Sequence, residues 1–151
     1  MPVFAQQSRL QLRRAYLEAW RKHCERRPLE PLEAAIAEVI GQHPEYVSWL
    51  ERGEEALSAE FAHDTGGENP FLHMGLHLAV REQVATDRPS GIARVFRDLA
   101  HQTGDPHAAE HTMMRCLAET LAEAQRHAGT ADEEAYRDRL ESLVRGGRRT
   151  R

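Results

Sequence analysis

Apolar residues recur at three- and four-residue intervals along most of the chain, and no segment alternates with period two, so the pattern predicts helices and no sheet. A first helix is expected over about 5–26, with Leu12, Tyr16, Ala19, Trp20 and Cys24 on one face. Pro28 stops it and Pro31 permits the next start, a helix over about 32–40 carrying Leu32, Ile36, Val39 and Ile40 and ending before Gly41. His43-Pro44 opens a short segment with Tyr46, Trp49 and Leu50, and a further short helix is expected over about 54–63. The Asp-Thr-Gly-Gly-Glu-Asn stretch at 64–69 is the clearest break in the chain.

The second half is more sharply punctuated. Asn69-Pro70 reads as an N-cap followed by proline at the first helical position, and the helix it opens runs to about residue 85. Thr86 or Asp87 caps a link helix over about 89–101, built on Ile92, Val95, Phe96 and Leu99. Asp105-Pro106 repeats the cap-then-proline device and opens a long helix to about residue 128, closed by Gly129. A last helix over about 132–144 carries Tyr136, Leu140 and Leu143. The expected class is all-α, a helix bundle of four or more main helices plus short accessory ones. One helical domain over 1–144 is expected, with a basic flexible tail over 145–151.

Composition narrows the classes. The chain has 151 residues, 20 basic and 24 acidic, a mild negative balance that argues against a wholesale nucleic-acid surface. The charge is uneven: residues 1–27 hold seven basic and two acidic groups, 28–140 hold nine and 21, and 141–151 hold four and one. Basic ends thus flank an acidic body, and an acidic partner or RNA could meet those ends weakly. The longest apolar stretch, 71–80, is interrupted by His73 and His77 and falls short of a membrane span of ~20 residues. The first twelve residues lack the plan of a signal peptide, and Cys24 and Cys116 sit inside amphipathic patterns as reduced core thiols. A cytoplasmic location is expected, and the pattern is compatible with a homo-oligomer.

Nine histidines are the compositional anomaly. His73 and His77 lie four apart on one predicted helix, and His107 and His111 four apart on another. Residues i and i+4 project from one face, so each pair can grip a single ion. If the link helix reverses the chain at both its ends, the two histidine-bearing helices run parallel. Their pairs then differ in height by roughly 3 Å at 1.5 Å per residue, and four imidazoles converge. A helix N-terminus also disfavours imidazolium and so favours the neutral ring that a metal needs. Glu110, beside His111, could be a carboxylate ligand or orient a histidine from behind, and Asp64, Glu68 and Asp105 are lesser candidates. A nitrogen-rich set suits iron or zinc, and Met74, Met113, Met114 and Cys116 nearby keep copper in view. The competing account of such residues is a buried His–Glu hydrogen-bond network in a protein-interaction module.

Familiar motifs fit poorly. His107-Ala-Ala-Glu-His111 has the spacing of inverted zinc proteases, but only 40 residues follow it. Carboxylate-bridged di-iron bundles read Glu-x-x-His, the reverse of the order here. A histidine-rich centre of hemerythrin type, open to oxygen or redox chemistry, agrees better with the residues, by analogy of fold. Neither Gly66-Gly67 nor Gly146-Gly147 has the context of a phosphate loop, and no serine sits in a nucleophile elbow.

Asn-Pro-Phe-Leu-His-Met-Gly-Leu-His-Leu-Ala (69–79), Asp-Arg-Pro-Ser-Gly-Ile (87–92) and Asp-Pro-His-Ala-Ala-Glu-His-Thr-Met-Met (105–114) together resemble an uncharacterised bacterial family, domain of unknown function 1841. The resemblance implies a small cytoplasmic protein and carries no activity or residue roles. It points to residues 69–114 as the functional region.

Overall fold

The computed structural model describes residues 3–58 and 69–149. Eight α-helices make up the described residues, and no strand occurs among them: α1 Val3–Cys24, α2 Pro31–Gly41, α3 Val47–Glu51, α4 Glu54–Ser58, α5 Pro70–Thr86, α6 Ile92–Thr103, α7 Pro106–Arg126 and α8 Glu133–Arg149. The class is all-α, as the periodicity predicts. A 3-10 turn, Pro44–Tyr46, leads into α3. Two compact units divide the chain, Met1–Leu78 and Ala79–Arg151, so α5 gives its first half to one and its second half to the other. The expected continuation of α4 past residue 58, the 64–69 loop up to its last residue, and the candidates Asp64 and Glu68 lie outside the described residues.

In the first unit α1 packs along α2. Tyr16 and Ala19 meet Ile36, Val39 and Ile40, and the core extends through Tyr46, Leu50, Ala56, Phe71 and Met74. Proline at its first position and Glu33, which accepts from the Glu30 N–H at 2.9 Å, start α2. Lys22 pairs with Glu33 at 2.8 Å, tying the end of α1 to that start. Lys22 first, then the Glu30 N–H, holds the Glu33 carboxyl below the usual range. Arg13 is buried, and its Nη1 donates to the carbonyls of Ala56 and Leu57 at 3.2 and 3.0 Å, so a cation caps the end of α4. Its guanidinium also lies 4.9 Å from the centroid of the Phe71 ring. The buried stripe of α1 is therefore Arg13, Tyr16 and Ala19. Leu12 and Cys24, expected on that stripe, are exposed, as is Leu32. Their positions flank the stripe, where the helix turns its side chains to water.

In the second unit α6, α7 and α8 pack against one another around Val95, Leu99, Met113, Leu117, Leu140 and Val144. Met74, in the first unit, and Met113, Met114 and Cys116, in the second, are buried. The Tyr136 hydroxyl donates to Gln83 at 2.8 Å, anchoring α8 on the second half of α5. Burial pushes its ionisation well above the ordinary tyrosine value. The α8 helix runs on to Arg149, past residue 144, where the sequence pattern predicts its end and the start of a flexible tail. Gln102 explains the extension: its Nε2 donates to the Val144 carbonyl at 3.0 Å, and a Cβ at Gly147 would stand 2.1 Å from its Oε1. Glycine here makes room for a close approach instead of ending the helix.

Candidate metal centre

The two histidine-bearing helices start as their sequences prescribe. The Asn69 side chain accepts from the N–H groups of Phe71 and Leu72 at 3.0 and 3.3 Å, and the Asp105 side chain from that of His107 at 3.0 Å. These caps place His73 and His77, and His107 and His111, in the first two turns of their helices.

In the first unit the α5 pair meets a third imidazole that spacing alone did not nominate, His43. The Nε2 atoms of His43 and His73 lie 3.2 Å apart, those of His43 and His77 3.1 Å, and those of His73 and His77 3.1 Å. Three nitrogens thus form a nearly equilateral triangle. His77 is fully buried, His43 is 4% exposed and His73 is half-buried. His43 stands just after α2, and its Nδ1 lies 2.8 Å from the Val39 carbonyl. Facing a carbonyl, Nδ1 carries the proton, so in the neutral ring Nε2 of His43 presents a lone pair to the other two rings. Val39 is in the last turn of α2, and its carbonyl also accepts from the Gln42 N–H at 3.2 Å.

Proton bookkeeping decides what this triangle is. A neutral imidazole nitrogen has either one proton or one lone pair, so three such atoms can make at most one linear hydrogen bond among themselves. Of the other two contacts, at 3.1–3.2 Å inside a mostly buried site, one is at best a bent donor–acceptor contact and one sets lone pair against lone pair or proton against proton. A cation accepting all three lone pairs removes the conflict. An ion ~2.1 Å from each nitrogen would see them at angles of about 100°, between the octahedral and tetrahedral values.

The second unit keeps its pair together on α7: the rings of His107 and His111 are 4.2 Å apart between centroids and nearly perpendicular. Both are partly buried. His43, His77, His107 and His111 are candidate metal ligands. Glu110, expected as a ligand or an orienting group, accepts a hydrogen bond from Arg81 Nε at 3.0 Å, and its side chain is 10% exposed. Arg81 lies four residues after His77 on α5, so it continues the stripe of His73 and His77 by one more turn. The structure therefore gives the Glu110 carboxylate a guanidinium partner.

The family model for the Domain of unknown function (DUF1841) matches residues 8–142. The chain belongs to this family. No curated protein and no solved structure matches it. The DUF1841 match takes in both histidine pairs, His43 and Glu110, and it assigns none of them a role. What the site does is argued from its atoms. Among the described residues, no helix is long and apolar enough to cross a membrane.

Proposed function

We propose that this protein binds a transition-metal ion through its histidines. His43, His73 and His77 are the donor face of the first unit, His107 and His111 are the donors of the second, and Glu110 acts behind that second pair through its contact with Arg81. The observation that carries the reading is the triangle of Nε2 atoms at 3.1–3.2 Å, whose contacts cannot all be hydrogen bonds. Neutral imidazoles suit iron or zinc, with copper next, and disfavour magnesium and calcium. Zinc on such nitrogens would supply a Lewis acid, and iron or copper would add redox and oxygen chemistry. A reducing compartment suits the free thiols of Cys24 and Cys116.

The test is metal content by mass spectrometry on untagged protein loaded in turn with zinc, ferrous iron and copper under reducing conditions. Near-stoichiometric metal in the wild type, lost in His77→Ala, is expected. His111→Ala then reads the nuclearity: it empties the same ion if the ligands are shared, and removes only part of the metal if two ions are bound. A wild-type chain that takes up none of the three ions overturns the proposal. The histidines would then be a polar network, and a search for acidic protein or RNA partners of the basic ends would follow.

A further inference from the structure

The third ligand is held more elaborately than the other two. His73 and His77 are carried by a regular helix. His43 sits on the five-residue link between α2 and α3, just before the 3-10 turn, at φ −129° and ψ 67°, with no regular helix to orient it. Its backbone is fixed from both sides. The His43 N–H donates to the Ile40 carbonyl and its own carbonyl accepts from the Tyr46 N–H, both at 2.9 Å. Its ring is fixed twice as well. One restraint is the bond from Nδ1 to Val39 described above. The other is Tyr46, whose ring lies almost parallel to the imidazole, 5° between planes and 5.3 Å between centroids. The same Tyr46 ring stands edge-on to His73, at 71° and 5.8 Å. Tyr46 is 8% exposed, so its packing admits few alternatives.

These restraints act on different freedoms. The Val39 carbonyl, at the end of α2, sets the tautomer of the neutral ring. It does not stop the ring from swinging about the axis of that hydrogen bond. Tyr46 does, because a flat aromatic face against the imidazole permits one plane only. Its edge against His73 limits the second ring in the same way.

We propose that Tyr46 is the positioning residue of this centre: its ring fixes the planes of His43 and His73, so that the ligands are pre-set before an ion arrives. The inference rests on the metal-binding reading and adds a group that would touch no metal. Pre-set ligands lose less freedom on binding, and partners behind metal ligands typically change affinity 10–100-fold when removed.

The experiment uses the full chain with Co(II), whose visible absorption band reports ligand geometry, and Zn(II) competition against a chromophoric chelator. Tyr46→Phe keeps the ring and should keep the band, with affinity within about twofold of wild type. Tyr46→Leu should weaken binding about 10–100-fold and change the band. Melting of each metal-free chain is recorded beside it, and a Tyr46→Leu chain that does not fold is replaced by Tyr46→Met, which is unbranched and slender. Wild-type affinity and band in the ringless variant overturn the role of Tyr46, as does a Tyr46→Phe chain weakened as far as Tyr46→Leu. If the wild type takes up neither Co(II) nor any of zinc, ferrous iron and copper, the metal reading falls and this inference falls with it; if it takes up one of those three but not Co(II), the same comparison is read with that ion. If the wild type binds and the ringless variant matches it, only the role of Tyr46 is lost.

Discussion

The same four-residue spacing, placed just inside the same Asx-Pro helix start, leads to two different settings. On α5, His73 and His77 meet a third imidazole contributed from 30 residues away, with nitrogens at 3.1–3.2 Å and an aromatic ring behind them. On α7, His107 and His111 pack on each other, and the residue between them, Glu110, is bound to Arg81. A His-x-x-x-His pair is thus only a pair of donors aimed one way. What stands opposite decides whether those donors become a centre, and in the first unit that is a short link at the end of a helix.

The sharpest way to break the comparison is to remove one ligand from each setting. His43→Ala takes away the pre-set member of the triangle and is expected to weaken metal binding at least 100-fold, as loss of one ligand exceeds loss of a group behind it. His107→Ala is expected to cost less, about tenfold, if the first unit supplies the main donor face. Zn(II) competition on both variants decides, and the opposite ranking would make the α7 pair the principal site. The next largest effect belongs to Glu110. Replacing it with Gln leaves Arg81 facing a neutral amide in a largely buried place, at a cost of about 1–3 kcal/mol in urea unfolding. If Glu110 works only through Arg81, the Co(II) band of Glu110→Gln stays at its wild-type position while stability drops. A displaced band would put the carboxylate on the metal.

The class, the helix starts at Asn69 and Asp105 and both histidine pairs were legible, because caps and i,i+4 spacing are local and each is written within five residues. His43 was not. It lies outside any periodic stripe, and the placement of its ring depends on where the chain turns after α2. The available signal was a histidine directly after a helix end, where an imidazole N–H can satisfy a terminal carbonyl. Tertiary packing likewise decided the length of α8. The Gly-Gly pair at 146–147 looks like a break until Gln102 is seen to need the space. Leu12 and Cys24 belong to the same lesson: helical spacing names a broad stripe, and only the neighbour determines which edge of it is buried.

A smaller effect tests the core beside α5. Tyr16 is 1% exposed, its hydroxyl has no hydrogen-bond partner among the described residues, and burial pushes its ionisation up to about 12. A Cβ at Gly75 would lie 3.5 Å from that oxygen, so the hydroxyl rests against the backbone of the histidine-bearing helix. Gly75 is two residues from both His73 and His77, which sets it on roughly the opposite side of α5 from their rings. The hydroxyl therefore stands apart from the triangle, and its removal should leave the metal untouched. Tyr16→Phe deletes an unsatisfied buried group and keeps the ring on Phe71, so unfolding free energy should stay level or rise by about 1 kcal/mol. A loss beyond that in urea unfolding, or a displaced Co(II) band, would give the phenol a polar role and extend the first setting across α5.

The smallest effect concerns the second unit, where the link to α6 is fastened by one carboxylate. Asp87 sits at φ +51°, and its Oδ1 accepts from the N–H groups of Ala93 and Gly91 at 3.0 and 3.2 Å. Asp tolerates this left-handed conformation better than most residues, which is one reason for its presence. Those N–H groups, Ala93 first, hold its carboxyl below the ordinary range. A folded-state value below the unfolded one stabilises the fold above the unfolded value, near pH 4, and that contribution disappears as pH falls through the folded value. Asp87→Ala should therefore melt about 2 °C lower than wild type at pH 7, with the gap closing towards pH 2. A gap that persists unchanged at pH 2 would assign the loss to backbone strain at the left-handed position. The carboxylate would then be a bystander, and α6 would be held by its buried Ile92, Val95 and Leu99 alone.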